Sequence, residues 1–294
     1  MRRLLIVGCG DVALRMARLL RGRYRLYGLS HTVQRYDLLR EHGIVPLHGD
    51  LDAPDTLARL AGLSHDILHF APPPSQGPLD SRTGNLIQAL RRSRSIPQRL
   101  VYISTSGVYG DCSGDVVDER RPLRPQSDRA RRRVDAERLL RAWGRASGVS
   151  VMILRVPGIY AADRLPLERI RAGTPALARP EDSYTNHIHA DDLARIVLAA
   201  LVRGRAGRAY NAADGSWLKM GDYFDLVAER FGLPLPPRIS REEAARRVPP
   251  ALLSFMQESR RLCNRRLQEE LRVRLRYPTV QHGLAEATAS RAGE

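Results

Sequence analysis

Residues 4–7 form an apolar run that ends in Gly8-Cys9-Gly10-Asp11-Val12-Ala13, and apolar residues then recur at Val12, Met16, Leu19 and Leu20. The run suits a buried strand and the later spacing suits one face of a helix. A strand, a glycine turn and a helix, in that order, commit the chain to an α/β unit. The pattern is G-x-G-x-x-A, and each small residue in it has a physical task. Gly8 permits the tight turn, and Gly10 leaves room for a pyrophosphate against the backbone. Ala13 lets the helix sit close on the strand. The first helical residues, Asp11 and Val12, belong to an N-terminus whose unpaired N–H groups favour an anion. The plain alternative is a tight turn with no ligand.

Further apolar runs bounded by turns lie at residues 25–29, 44–47, 66–70, 100–103 and 151–156, with helical patterns between most of them. This repeated alternation argues an α/β, doubly wound parallel sheet of the Rossmann type. His42-Gly43 reads as a helix end with glycine in the left-handed cap. Phe70-Ala71-Pro72-Pro73-Pro74 must leave the sheet, since three prolines cannot continue a central strand. That places Ala71, Pro72 and Pro73 in a loop at the carboxyl edge, where open α/β sheets bind ligands. After residue 157 the alternation weakens. A helix at 193–201 and a short return strand at 208–211 are expected, followed by helical segments broken by prolines. The expected division is a dinucleotide-binding domain over 1–157, completed by about 185–212, and a smaller, mostly helical C-terminal substrate lobe over 158–294.

The 294 residues, 43% apolar, can supply a sizeable core. No window approaches the 18 apolar residues of a membrane span, and the apolar run after Arg3 is too short for a secretory signal. Cys9, Cys112 and Cys263 share no C-x-x-C spacing and read as reduced thiols, so a cytoplasmic protein is expected. The formal net charge is +16, but the basic residues are spread along the chain and only Lys219 among 48 is lysine. That bias, without helix-turn-helix, zinc-finger or aromatic-basic patterning, disfavours nucleic acid as the partner, although charge alone keeps it as an alternative.

Three segments carry a specific resemblance. Val101-Tyr102-Ile103-Ser104-Thr105-Ser106-Gly107-Val108-Tyr109-Gly110 resembles the hydroxyl-bearing strand end of the extended short-chain dehydrogenase/reductases, the NAD-dependent epimerase/dehydratase group. Leu154-Arg155-Val156-Pro157-Gly158-Ile159-Tyr160 resembles that group's loop after the sixth strand. Asn186-His187-Ile188-His189-Ala190-Asp191-Asp192-Leu193-Ala194 is similar to its later strand–helix segment, and the stretch from Cys263 to Pro278 is similar to its C-terminal lobe. The resemblance covers nearly the whole chain and implies a dinucleotide cofactor with Ser104 and Pro157 near it. It also implies that Asp50-Leu51, after the third strand, contacts adenine, and that Thr105 meets a substrate oxygen.

The departures from that group are equally specific. Its Gly-x-x-Gly-x-x-Gly positions hold Val7, Gly10 and Ala13. Its Tyr-x-x-x-Lys pair does not occur here: the residue four before Lys219 is Gly215. Matching on Glu137 puts Arg133 at the lysine position and Arg129 at the tyrosine position, as in the atypical subgroups. A guanidinium is not deprotonated in a protein, so neither arginine can replace the phenol as an acid. Arg133 could still bind a ribose or phosphate. Ala136, Leu139, Leu140 and Trp143 make an apolar stripe, and Arg129, Arg132 and Arg133 lie on or beside its extension. Inward cations call for an anion unless they snorkel to solvent. The candidate catalytic residues are therefore Thr105, Tyr109 and Arg133, with Tyr160 and Tyr184 as further phenols. His187, His189 and Asp191 tempt a metal reading, but the resemblance makes Asp191 or Asp192 a helix cap, and no metal is expected. Cys112 has no local base.

The second strand ends Gly28-Leu29-Ser30-His31, with Arg35 nearby and no acid before Asp37. Hydroxyl, imidazole and guanidinium suit a 2′-phosphate, so NADP is expected ahead of NAD. The expected function is an oxidoreductase or epimerase-type enzyme on an anionic or nucleotide-linked small molecule, using a non-standard acid. An inactive NADP-binding sensor is the alternative. The partners expected are the dinucleotide and a small-molecule substrate; a homodimer stays open.

Overall fold

The computed structural model describes residues 1–249, 253–254 and 256–292. In chain order the first part runs β1 (Arg2–Val7), α1 (Asp11–Leu20), β2 (Tyr24–Ser30), α2 (Tyr36–Glu41), β3 (Ile44–His48), β4 (Asp66–His69), α3 (Ser81–Leu90), β5 (Arg99–Thr105), β6 (Val116–Val117), α4 (Asp128–Ser147) and β7 (Ser150–Val156). There follow β8 (Gly158–Tyr160), α5 (Leu167–Arg171), β9 (Ala176–Leu177), β10 (Tyr184–Thr185), β11 (His187–His189), α6 (Ala190–Arg203) and β12 (Ala209–Asn211). The chain ends with β13 (Leu218–Lys219), α7 (Met220–Arg230), β14 (Arg238–Ile239), α8 (Arg241–Arg247), β15 (Arg261–Leu262), α9 (Arg265–Glu269) and α10 (Val280–Ala292).

Seven strands form one sheet in the order β12-β7-β5-β4-β1-β2-β3, with every pair parallel. Both faces are covered, which is why the central strands read as unbroken apolar runs rather than alternating ones. Leu4, Ile6, Val101 and Ile103 pack under α1 and α6 on one face. Leu5, Ile67, Tyr102 and Leu100 pack on the other with Leu86 of α3 and the Ala136, Leu140 and Trp143 stripe of α4.

The order reverses between β1 and β4, and the carboxyl ends of those strands frame a crevice. Two glycines make it possible. Gly8 has φ +95°, and a Cβ there would stand 2.4 Å from the Ala71 nitrogen. That close approach lets Phe70 N and Ala71 N donate to Val7 O at 2.7 and 2.9 Å, which holds the post-β4 loop against β1. Gly28, in mid-strand, leaves the space filled by Cys9 Sγ and Ile44. Gly43 takes the left-handed cap after α2, as its dipeptide suggests, with φ +72°.

Beyond β7 the chain crosses over and returns. α6 packs on α1 and β12 pairs with β7, so residues 190–211 complete the main sheet. The rest is less purely helical than expected. Four two-stranded pairs, β11–β8, β10–β13, β14–β9 and β15–β6, tie α5 and α7–α10 together. Strands of two or three residues carry too little periodicity to be read from sequence.

Candidate active site

A cleft of about 600 Å³ opens at the crevice. Its floor is the β1–α1 turn, with Gly8, Gly10, Asp11, Val12 and Ala13 all on the lining. α1 has no side-chain cap on its N-terminus, and a Cβ on Gly10 would meet nothing within 4 Å. An uncapped helix end facing open space is what an anion needs, since the first-turn N–H groups lack partners within the helix. Cys9 turns inward, with Sγ 3.7 Å from Ile6 O and Leu29 O. Burial pushes its thiol up to about 12, against the field of Arg35, so it is an inert packing residue.

At one end the cleft is lined by Ser30, His31 and Arg35, and by Asp50 and Leu51. Ser30 Oγ accepts from Thr32 N and donates to Thr32 O, both at 3.2 Å, which shapes the turn after β2. Arg35 Nη2 donates to Cys9 O at 2.9 Å and so lies across the glycine turn. Asp37 is turned out to solvent and paired with Arg40. Ala71 and Pro72 form the side wall. Three charged residues absent from the sequence-based set also line the cleft: Asp52, Arg82 and Arg164. Arg82 grips Asp52 with two bonds of 2.8 and 2.6 Å and donates to Pro72 O at 3.1 Å, tying the β3 and β4 loops together. Arg164, from the C-terminal part, pairs with Asp11 at 3.2 Å, while Arg15 bridges Asp11 and Asp191. Neither contact leaves a local signal, because the partners are 30 and 153 residues apart.

At the other end stand Ile103 and Arg133. Arg133 points inward rather than to open solvent: Nη1 donates to Tyr102 OH at 3.0 Å and to Ile103 O at 2.7 Å. Beside it His69 is fully enclosed, bonded through Nε2 to Thr83 Oγ1 at 2.9 Å, and burial together with the field of Arg133 pushes it down to about 3. It is a neutral structural imidazole at ordinary pH.

The remaining expected residues lie off the lining. Pro73 contributes only its carbonyl, 3.4 Å from Arg82, and Pro157 sits half-buried between β7 and β8. Ser104 Oγ donates to Glu137 at 2.7 Å within a buried network. Arg155 closes that network with bonds of 3.2 and 2.8 Å to Glu137 and 3.0 Å to Tyr109 OH. Tyr109 in turn donates to Asn211 Oδ1 at 2.7 Å, and burial, opposed by Arg155, pushes its phenol up to about 12. Its hydroxyl is committed inside the protein. Thr105 is half-buried at the end of β5, and its Oγ1 accepts from Gly107 N at 3.3 Å. Tyr160 is buried, its hydroxyl donating to Thr279 O at 3.3 Å and its ring edge-on to His187 and His189. Tyr184 lies under Arg261 and Lys219. Cys112 is buried and its thiol is raised by that burial.

One cap differs from expectation. α6 is capped by His189, whose Nδ1 accepts from Asp191 N at 3.2 Å, and not by Asp191 or Asp192. Asp192 instead receives Arg276 N and Tyr277 N at 2.8 and 2.7 Å and anchors the C-terminal segment. Among the described residues no three His, Cys, Asp or Glu side chains gather as a metal site. None of the described helices is long and apolar enough to cross a membrane.

A parallel sheet with its glycine-turn cleft at the strand-order reversal defines a Rossmann-type protein. The sequence profile of the NAD dependent epimerase/dehydratase family matches residues 14–213, and the chain belongs to that family. It is 29% identical over 195 residues to dTDP-glucose 4,6-dehydratase of Mycobacterium tuberculosis H37Rv, covering 58% of this chain and 57% of that protein. It is 28% identical over 155 residues to the Streptomyces niveus dTDP-glucose 4,6-dehydratase, covering 50% and 46%. The chain thus spans about half the length of these curated relatives. Among solved structures, a conserved protein of unknown function from Silicibacter pomeroyi superposes with a TM-score of 0.81 at 29% identity, over 99% of both chains. The dTDP-glucose 4,6-dehydratase of Bacillus anthracis in complex with NAD superposes at 0.77 and 16% identity, over 100% of this chain and 97% of that one, a likeness of fold.

Proposed function

We propose that the cleft binds a nicotinamide dinucleotide, NADP ahead of NAD, and that the protein is an oxidoreductase or epimerase-type enzyme. Its substrate is an anionic or nucleotide-linked small molecule. The observation that carries the reading is the uncapped N-terminus of α1 facing the empty space beside Gly10. In this assignment Gly8, Gly10 and residues 11–13 hold the pyrophosphate. Ser30, His31 and Arg35 take the 2′-phosphate end, and Asp50 and Leu51 the adenine. Ala71 and Pro72 wall the far side, with Pro73, Ser104 and Pro157 behind it. Among the described residues, those that the end of β2 and the turn after it place on the cleft, Ser30, His31, Thr32 and Arg35, include no carboxylate, which supports the preference for NADP, because a charged acceptor there would repel the extra phosphate.

When bound, the nicotinamide supplies or accepts hydride; the protein must provide the proton. Arg133, at the position matched to the family's lysine, holds its guanidinium on the cleft and serves to bind and orient. Of the candidate hydroxyls that the cleft end of β5 and the segment after β7 offer, Thr105 is half-exposed, whereas Tyr109 and Tyr160 are engaged internally. That engagement supports a second reading, an NADP-binding sensor without turnover. The two separate in one experiment: NADP and NAD are titrated calorimetrically, and turnover is then sought with nucleotide-linked sugars. Binding with turnover that falls in Thr105→Ala, with smaller losses in Tyr109→Phe and Tyr160→Phe, supports the enzyme. Binding without turnover supports the sensor, and no binding of either dinucleotide removes both.

A further inference from the structure

Four arginines gather at the carboxyl edge of β4 and β5, beside the end of the cleft that Arg133 lines. Arg129, Arg132 and Arg133 come from the first turns of α4, and Arg260 from the residue before β15. Edge loops hold them. Arg132 Nη1 donates to Gly77 O at 2.5 Å in the loop after β4, and Arg260 Nη1 donates to Gly110 O at 2.5 Å after β5. Arg133 is fixed on Ile103 O, as above. Arg132 is 7% exposed and Arg260 8%, and the buried Nε of each finds no hydrogen-bond partner among the described residues. A carboxylate, Glu258, accepts from Arg260 Nη2 at 2.7 Å, and Asp80, tied to Thr83, lies within the field of Arg133. Arg129 stays exposed, within electrostatic range of Arg132, Arg260, Arg133 and Glu258. Partial desolvation and its three arginine neighbours hold its guanidinium below the ordinary value, against the pull of Glu258.

Among the described residues, four cations at one edge share a single nearby carboxylate ion pair, Glu258 with Arg260, and two of them are buried with an Nε–H donor left over, which is costly unless a further anion meets those donors. Guanidinium forks suit the planar, multiply accepting oxyanions, carboxylate and phosphate. We propose that this cluster receives a doubly charged oxyanion of the substrate, a phosphate or paired carboxylates, with Arg132 and Arg260 as its floor and Arg129 at its mouth. The inference rests on the dinucleotide reading for the identity of the neighbouring ligand, but the anion site stands on the arginines themselves. It assigns the substrate its charge at the end of the cleft where Arg129 and Arg133 occupy the positions matched to the family's tyrosine and lysine.

The test is calorimetric titration of the NADP-loaded full chain with inorganic phosphate and, separately, malonate, at constant ionic strength. At least one anion binds at a single site. Arg132→Met and Arg260→Gln each weaken it about tenfold or more, the size of one lost charge-assisted contact. Arg145→Gln, an exposed arginine in the last turn of α4, leaves it unchanged. NADP affinity is retained in all three variants. Tighter phosphate points to a phosphate ester as substrate and tighter malonate to a dicarboxylate; either supports the site. Failure of both anions to bind, or wild-type affinity in both cluster variants, overturns it. Should Arg132→Met not fold, Arg260→Gln carries the comparison. A chain that fails to load with NADP overturns the dinucleotide reading instead, and the same titration on the unloaded chain and its variants then decides the arginine cluster.

Discussion

Gly8 and Gly10 are two residues apart, yet they fail differently on substitution. A methyl at Gly8 meets the Ala71 nitrogen at 2.4 Å and its α-carbon at 2.7 Å, both backbone atoms. The φ of +95° adds strain of about 1–3 kcal/mol for a side-chain-bearing residue. Displacing the post-β4 loop also weakens two backbone hydrogen bonds to Val7 O, each worth about 1 kcal/mol. Gly8→Ala should therefore cost roughly 3–5 kcal/mol, lowering Tm by about 10 °C in a chain of this size. Gly10 has φ −82° and ψ −167°, extended backbone that valine adopts readily, and its Cβ points into open space. Gly10→Val should cost less than about 1 kcal/mol as a poorer helix cap, a shift of less than about 4 °C. Its methyls occupy the space proposed for the pyrophosphate. Losing two charge-assisted N–H contacts at about 1.5–3 kcal/mol each weakens NADP by roughly 10²–10⁴-fold. Differential scanning calorimetry reads the first effect and isothermal titration the second. Wild-type affinity for both NADP and NAD in Gly10→Val would falsify this assignment of the turn.

Arg35→Ala should narrow the preference for NADP over NAD by about tenfold, the worth of one charge-assisted phosphate contact, in parallel titrations of the two cofactors; an unchanged ratio refutes the role. Glu137→Ala leaves Arg155 buried and unpaired and should cost about 3–5 kcal/mol in urea unfolding, whereas Glu137→Leu combined with Arg155→Met should cost far less; equal losses would contradict the network. Asp214 is 1% exposed, and burial, opposed by hydrogen bonds from Ser216, pushes its carboxyl up to about 7. The folded state then holds a proton that the unfolded state has released, so this group's contribution to stability falls as pH rises from about 4 to 7. Asp214→Asn should accordingly gain on wild type as pH rises, with a Tm difference larger at pH 8 than at pH 5; a constant offset across that range would show that the carboxyl does not titrate there.

Much of the fold was legible because its signals are local. The β1–α1 turn, the apolar runs of the buried strands and the left-handed Gly43 each announce themselves within a few residues. The cleft's sequence-named residues, from Gly8 to Ala13 and from Ser30 to Arg35, lie at strand ends, where position follows from topology. Arg82 and Arg164 were missed because their partners, Asp52 and Asp11, are distant in sequence, and an arginine-rich chain gives no reason to single out either. Tyr109 illustrates the converse. Its motif places it near the sheet edge, but the direction of its hydroxyl depends on Arg155 and Asn211, which only packing brings together. The α6 cap falls to His189 because the helix begins at Ala190, which leaves Asp191 and Asp192 inside its first turn, where Asp192 receives the backbone of Arg276 and Tyr277, 84 and 85 residues away.

Native mass spectrometry of the full chain, titrated with NADP and with NAD, tests the central claim most directly. The proposed function predicts one equivalent of dinucleotide per chain, NADP displacing NAD at equal concentration, and loss of both adducts in Gly10→Val. A wild-type chain that stays free of either dinucleotide at saturating concentration would contradict it.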